Sequence, residues 1–300
     1  LSSFNNRINI IILNYFGKND TIECLESLNK SPISDTFRII LINNSAEEIF
    51  DKNLFKKFGF EVEYIQPEKN TGFCAGNNIG LKLSYTDNKC GYIMLLNNDT
   101  VLEPDAVAVL KNKCDKNPVS LINPILVFYD TKKIQCTGGY WNLFFGIAIN
   151  INKGKFPDEI KKEAHPYFLN GCCIFGKKEI FEKTGFLDET FFAYGEDIDF
   201  SMRAKKAGIE LKVANGAVVY HKHSKSSNGY NKQYLICRNN YILVKKNFGK
   251  IYFFIFAPIH IFFQIVIGYF IFKNTNIKRM LKSVLLGYFD GIRNRKRTIT

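Results

Sequence analysis

The sequence predicts an α/β fold: a mainly parallel, Rossmann-like sheet flanked by helices, followed by a C-terminal hydrophobic and basic helical appendage. Three observations carry this. Short apolar runs alternate with helical stretches through the first hundred residues, the pattern of a parallel sheet covered on both faces. Polar residues cluster just after those runs, where open α/β sheets place their ligands. Charge is also split along the chain: residues 1–200 carry 22 Lys+Arg against 26 Asp+Glu, and residues 201–300 carry 19 against 2.

The elements follow in order. Ile8 to Leu13 is a short β-branched apolar run, read as a buried strand. Asp20 with Glu23 three residues on forms a capping pair that opens a helix, with Ile22, Leu25 and Leu28 on one face. Phe37–Ile42 and Val62–Ile65 are the second and third strands, and Gly72 opens a helix to about Tyr85. Tyr92–Leu96 is a fourth strand, and Glu103 and Pro104 start another helix with proline in its first turn. Leu121–Val127 and Ala217–His221 read as further strands, with helices from Glu196 to Ala207 and from Tyr230 to Phe248.

The tail expects an anionic partner. Ile251 to Phe272 carries no charge over 22 residues, long enough to cross a hydrocarbon core of roughly 30 Å as a helix. Pro258, His260 and Gln264 interrupt it, so a helix lying in the membrane surface competes with a spanning one, and a buried core helix is the third, bland reading. Lysines flank both ends, and the charge rule sets no orientation. Ile277–Arg297 reads as a basic amphipathic helix. Apolar content beside this charge favours an anionic membrane surface over nucleic acid. Ile8–Leu13 is too short for a signal-peptide core. The eight cysteines show no Cys-x-x-Cys spacing and read as reduced core thiols of a cytosolic compartment. The expected division is a catalytic domain over 1–228, a helical connector over 229–250 and a membrane-associated segment over 251–300.

Four segments could carry chemistry. Asp99 ends the fourth strand after Asn97 and Asn98. It offers a hard oxygen to Mg2+ or Mn2+, or caps the following helix. Glu196, Asp197 and Asp199 crowd beside four aromatics; an apolar surround raises carboxyl pKa values, which suits a general base, whereas a helix N-terminus opposes it. Asp199 and Arg203 are spaced as a helical ion pair. His221 and His223 lie on one side of an extended chain. They could join Asp99 at a metal but form no zinc site alone. Gly72, Gly76 and Gly80 could present N–H groups to a phosphate, or let a helix pack closely. The run is neither a P-loop nor a dinucleotide fingerprint.

Taken in register, eight stretches between residues 7 and 225 resemble the family 2 inverting glycosyltransferases of GT-A type, in particular their rhamnosyltransferase-like branch. They are Ile11–Tyr15, Asp20–Leu28, Ile39–Ser45, Asn70–Gly80, Leu95–Thr100, Asn170–Cys173, Phe192–Arg203 and Val218–His221. The resemblance implies a sugar moved from a UDP- or dTDP-sugar, possibly rhamnose, to a hydroxyl of a lipid-linked or surface polysaccharide acceptor at the cytoplasmic face of the membrane. It implies Asp197 as catalytic base with Glu196 beside it, and Asp99 and His221 as ligands of Mg2+ or Mn2+. Asn14, Tyr15, Asn43, Asn44, Asn70, Gly72, Asn77, Asn98 and Asp99 would surround the nucleotide sugar, with Gly138, Gly139, Asn170 and Gly171 near the acceptor. Two positions depart from the pattern: Asn43 and Asn97 stand where the family usually carries aspartate. The competing readings are a nucleotidyltransferase, for which Gly17 and Lys18 make a poor loop, and a membrane-anchored binding module, which gives Asp99, Glu196 and Asp197 no task.

Overall fold

The computed structural model describes residues 6–142, 145–222, 229–272 and 276–295. His223 therefore lies outside the described residues. The strands are β1 (Arg7–Asn14), β2 (Phe37–Asn43), β3 (Glu61–Ile65), β4 (Cys90–Asn97), β5 (Thr100–Leu102), β6 (Ser120–Phe128), β7 (Ile134–Cys136), β8 (Gly139–Asn142), β9 (Ile147–Asn150), β10 (Cys173–Lys177) and β11 (Glu210–His221). The helices are α1 (Lys18–Asn29), α2 (Gly72–Thr86), α3 (Ala106–Lys116), α4 (Lys178–Thr184), α5 (Glu196–Lys206), α6 (Gly229–Phe272) and α7 (Ile277–Ile292).

One sheet runs β3-β2-β1-β4-β10-β6-β11-β5, with β7 beside β6. β1 pairs in parallel with β2 and β4, β2 with β3, and β6 with β11, while β10 runs antiparallel between β4 and β6. β8 and β9 form a separate ribbon. Alternate residues of β1 enter opposite cores. Ile8, Ile10 and Ile12 meet Cys24, Leu25 and Leu28 of α1, and Ile11 and Leu13 meet Cys74 and Leu81 of α2. Burial on both faces explains why the strand is continuously apolar. All eight cysteines are buried with unpaired thiols.

Several elements differ from the sequence reading. α1 begins at Lys18, and Asp20 does not cap it. The carboxylate of Glu48, from the loop after β2, accepts instead from Gly17 N (3.0 Å) and Lys18 N (3.2 Å). A negative group there is favoured by the helix dipole. α3 begins two residues beyond Pro104, because residues 100–102 pair as β5 with β11.

The appendage is a helical pair. α6 is broken at Gly249 (φ 82°) and folds against α7. His260 and Gln264 are buried, and a polar network joins Gln233 to Gln264 and His260 to Asn240, Gln264 and Tyr288. Among the described residues, no helix is long and apolar enough to cross a membrane.

Candidate active site

The C-terminal ends of β1, β2 and β4 bring three asparagines into one network. Asn14 Nδ2 donates to Asn43 Oδ1 (2.8 Å) and to Glu48 Oε2 (2.9 Å). Asn98 Nδ2 donates to Asn14 Oδ1 (3.1 Å) and Thr21 Oγ1 (3.0 Å). Asn43 also donates to Glu48 O and to the Tyr64 hydroxyl. Asn14 and Asn43 are fully buried, whereas Tyr15, Gly17 and Asn98 retain partial exposure. The two buried amides therefore shape this rim through their neighbours. Glu48 supplies a negative charge one side chain away from where the family pattern would carry it on residue 43.

Asn44 accepts from Thr71 N and Oγ1 and donates to Gly72 O (3.1 Å), which fixes the start of α2. Asn70 Oδ1 accepts from Gly72 N (2.8 Å). Gly72 has φ 83°, and a Cβ there would meet the Phe192 ring at 2.5 Å. Asn77 is turned along its own helix, donating to Phe73 O (2.9 Å), and Asn78 bonds the backbone of Leu187. Gly76 and Gly80 lie against Leu13 and Ile11, so these glycines serve close helix-on-sheet packing.

Asp99 Oδ1 and His221 Nε2 are 3.2 Å apart, both groups buried. β5 and β11 bring them together, since Thr100 is paired with His221. His221 Nδ1 is 2.9 Å from Gln135 Oε1. With Nδ1–H donating to that amide oxygen, Nε2 is the ring nitrogen turned toward Asp99. One carboxylate and one imidazole fit an Mg2+- or Mn2+-type ion whose remaining positions are filled by diphosphate and water. Among the described residues no group of three His, Cys, Asp or Glu side chains could enclose an ion unaided.

The carboxylate pair begins α5. Gly195 (φ 89°) turns the chain into it. Asp197 Oδ2 accepts from Gly171 N (3.1 Å) and Oδ1 from Ile198 N (2.9 Å). Burial raises the Asp197 carboxyl above its ordinary value, and these N–H bonds partly offset it. Asp197 keeps partial exposure; Glu196 is buried, and its Oε2 has no hydrogen-bond partner among the described residues. Burial, then the charge of Asp197, raises the Glu196 carboxyl as well. Asp199, by contrast, pairs with Arg203 (2.8 Å) and Lys246 (2.7 Å).

The two halves adjoin through β10. Asn97 N donates to Cys172 O (2.8 Å), one residue beyond the Gly171 that holds Asp197. Asn170 is clasped by Asn123, with Asn170 N to Asn123 Oδ1 at 2.7 Å. Gly139 N reaches Phe168 O (3.0 Å), so Gly138 and Gly139 flank the segment that leads to Asn170. Asp99 and His221 thus meet at the β5–β11 pair, and Asp197 lies against Gly171, two residues before β10. Glu48, Asn123 and Gln135 escaped the sequence reading because each acts on a partner at least 30 positions away. Arg238 and Asn239 carry no sequence signal beyond the helix expected over Tyr230–Phe248.

A mixed sheet of this order, with carboxylates beyond its strand ends, is a fold of the GT-A type. Residues 9–185 match the family model for glycosyl transferase family 2, and the chain belongs to that family. It is 22% identical over 247 residues to the low-salt glycan biosynthesis hexosyltransferase Agl10 of Haloferax volcanii, covering 81% of this chain and 77% of that protein. Its fold is similar to that of GalNAc-T7 with UDP, GalNAc and Mn2+ (TM-score 0.64, 14% identity), over 94% of this chain but only 55% of the other. It is also similar to S. aureus TarS 1-349 in complex with UDP-GlcNAc (TM-score 0.60, 13% identity), over 96% and 81% of the two chains. Family membership favours sugar transfer over the nucleotidyltransferase and binding-module readings.

Proposed function

We propose that this glycosyltransferase is inverting and divalent-metal-dependent, taking a UDP- or dTDP-sugar, rhamnose among the candidates, to a hydroxyl of a lipid-linked or surface glycan. The observation that carries this is a partly exposed carboxylate, Asp197, oriented by Gly171 N–H, supported by the pairing of Asp99 with His221. Asp197, ionised, takes the proton of the acceptor hydroxyl. The acceptor oxygen bonds to the anomeric carbon as the bond to the diphosphate breaks, and the nucleoside diphosphate leaves with the electron pair. One displacement inverts the anomeric centre. A cation held by Asp99 and His221 would neutralise charge on the leaving diphosphate. On this reading Gly138, Gly139, Asn170 and Gly171 would line the approach of the acceptor.

A panel of nucleotide sugars, with and without chelator, tests the reading. Transfer should stop with EDTA and return with Mn2+ or Mg2+. Asp197→Asn should lose at least about 10²-fold in kcat while still binding nucleotide. The wild-type rate should fall as pH drops through an apparent pKa above the ordinary aspartate value of about 3.9. Normal transfer by Asp197→Asn would remove the base assignment.

The same reading puts the enzyme on the cytoplasmic face of the cell membrane. It is supported by exposed Phe254, Ile255, Ile259, Phe262, Tyr269 and Phe270 on α6, and by Leu285, Phe289 and Ile292 on α7. Lys278, Arg279 and Lys282 stand exposed beside them. An apolar ridge edged by cations suits a helix pair lying in an anionic lipid surface.

A further inference from the structure

We infer that Arg238 and Asn239, on the appendage helix α6, are positioning residues for the catalytic base, an assignment that rests on Asp197 being that base. Residues 190–194 lead directly into Glu196 and Asp197, and every carbonyl in this stretch is held. Arg238 Nη1 donates to Thr190 O (2.7 Å). Asn239 Nδ2 lies within bonding distance of Phe191 O (2.9 Å), Ala193 O (2.7 Å) and Tyr194 O (2.7 Å). The remaining carbonyl, Phe192 O, accepts from Phe73 N (2.8 Å) at the start of α2.

This path is not one the loop would choose alone. Phe192 (φ 62°) and Tyr194 (φ 70°) both occupy the left-handed region, and Gly195 follows at φ 89°. Side-chain-bearing residues persist there only when their surroundings over-determine them. Asn239 provides that determination: its side chain is buried, and a Cβ on Gly195 would stand 3.8 Å from its Cβ. Its two amide hydrogens are shared among three carbonyls. Gly195 is the residue from which α5 starts, so the loop path sets where the Asp197 carboxylate meets Gly171 N–H. A shift of about 1 Å in a reacting group can cost on the order of 10²-fold in rate.

The test compares Asn239→Asp and Asn239→Ala with Asp197→Asn in the full chain. It uses steady-state kinetics with the nucleotide sugar that supports turnover, binding of the free nucleoside diphosphate, and thermal unfolding. The isosteric aspartate turns a carboxylate onto three carbonyl oxygens. Both Asn239 variants should lose about 30-fold or more in kcat, with donor KM and nucleotide affinity within about threefold, and aspartate should be no better than alanine. Asn239→Gln and Arg238→Lys, which keep a donor but displace it, should fall between and carry the measurement if alanine does not fold. An inactive Asp197→Asn beside Asn239 variants of normal kcat overturns this inference alone. A proportional loss of kcat, donor KM and nucleotide affinity also overturns it, since that is general loosening. Normal transfer by Asp197→Asn overturns the base assignment and this inference with it.

Discussion

At the scale of single residues, the site is built from side chains whose hydrogen-bonding capacity is spent on one another. Glu196 is one exception: among the described residues its buried Oε2 has no hydrogen-bond partner, and burial, then Asp197, raises its pKa. The folded state therefore holds its proton more tightly than the unfolded chain does. Its contribution to stability is complete below the unfolded value, about 4.3, and is lost as pH rises through the folded value. Glu196→Gln removes that loss, so its melting temperature relative to wild type should become more favourable between pH 5 and pH 8, by about 2 °C or more. A difference that stays flat with pH would refute the buried-acid reading. Asp99, Asp197 and His221 can be singled out in the sequence because each sits at the end of an apolar strand or the start of a helix, in family register. Glu48, Gln135 and Asn239 were not, because their partners are brought near only by the packing of elements distant in sequence.

At the scale of elements, β1, β2, β4 and α2 were readable because both of their faces are filled by apolar or small residues. The three- and four-residue strands β5, β7, β8 and β9 were not, since so few residues show no period. The Asp20–Glu23 capping pair was locally plausible but lost to a distant carboxylate, because Glu48 reaches the first N–H groups of α1 directly. α2 owes its place to small residues. A Cβ on Gly80 would lie 2.5 Å from Ile11 Cγ2. Gly80→Val should thus lift α2 from the sheet and cost about 1–3 kcal/mol, read as a lower urea midpoint with weakened nucleotide binding. An unchanged midpoint would show that the helix–sheet gap is softer than it looks.

At the scale of the whole molecule, the appendage is not a separate tether. Its first half supplies Arg238 and Asn239 to the loop before Asp197, and Asn240 bonds Gly146 O (2.8 Å). Its second half turns one side to α7 and exposes aromatics on the other. Gly287 allows the two helices to touch: a Cβ there would meet Tyr234 O at 2.6 Å. The membrane reading predicts that the full chain floats with vesicles of phosphatidylglycerol and phosphatidylcholine and detaches in part at high salt. Phe262→Glu combined with Phe254→Glu should abolish flotation without lowering turnover on a soluble acceptor. Equal flotation of that variant would place the contact elsewhere.

The amino-acid order alone determined the strand–helix alternation, the polar strand ends and the basic, apolar tail, because those depend on local periodicity and charge. Only the tertiary structure decided that Asp99 faces His221, that Glu48 closes the first helix, and that helix residues 45 to 48 positions downstream hold the loop before Asp197. Such contacts join chain segments with no local signature of each other, so they exist only once the sheet and its flanking helices have packed.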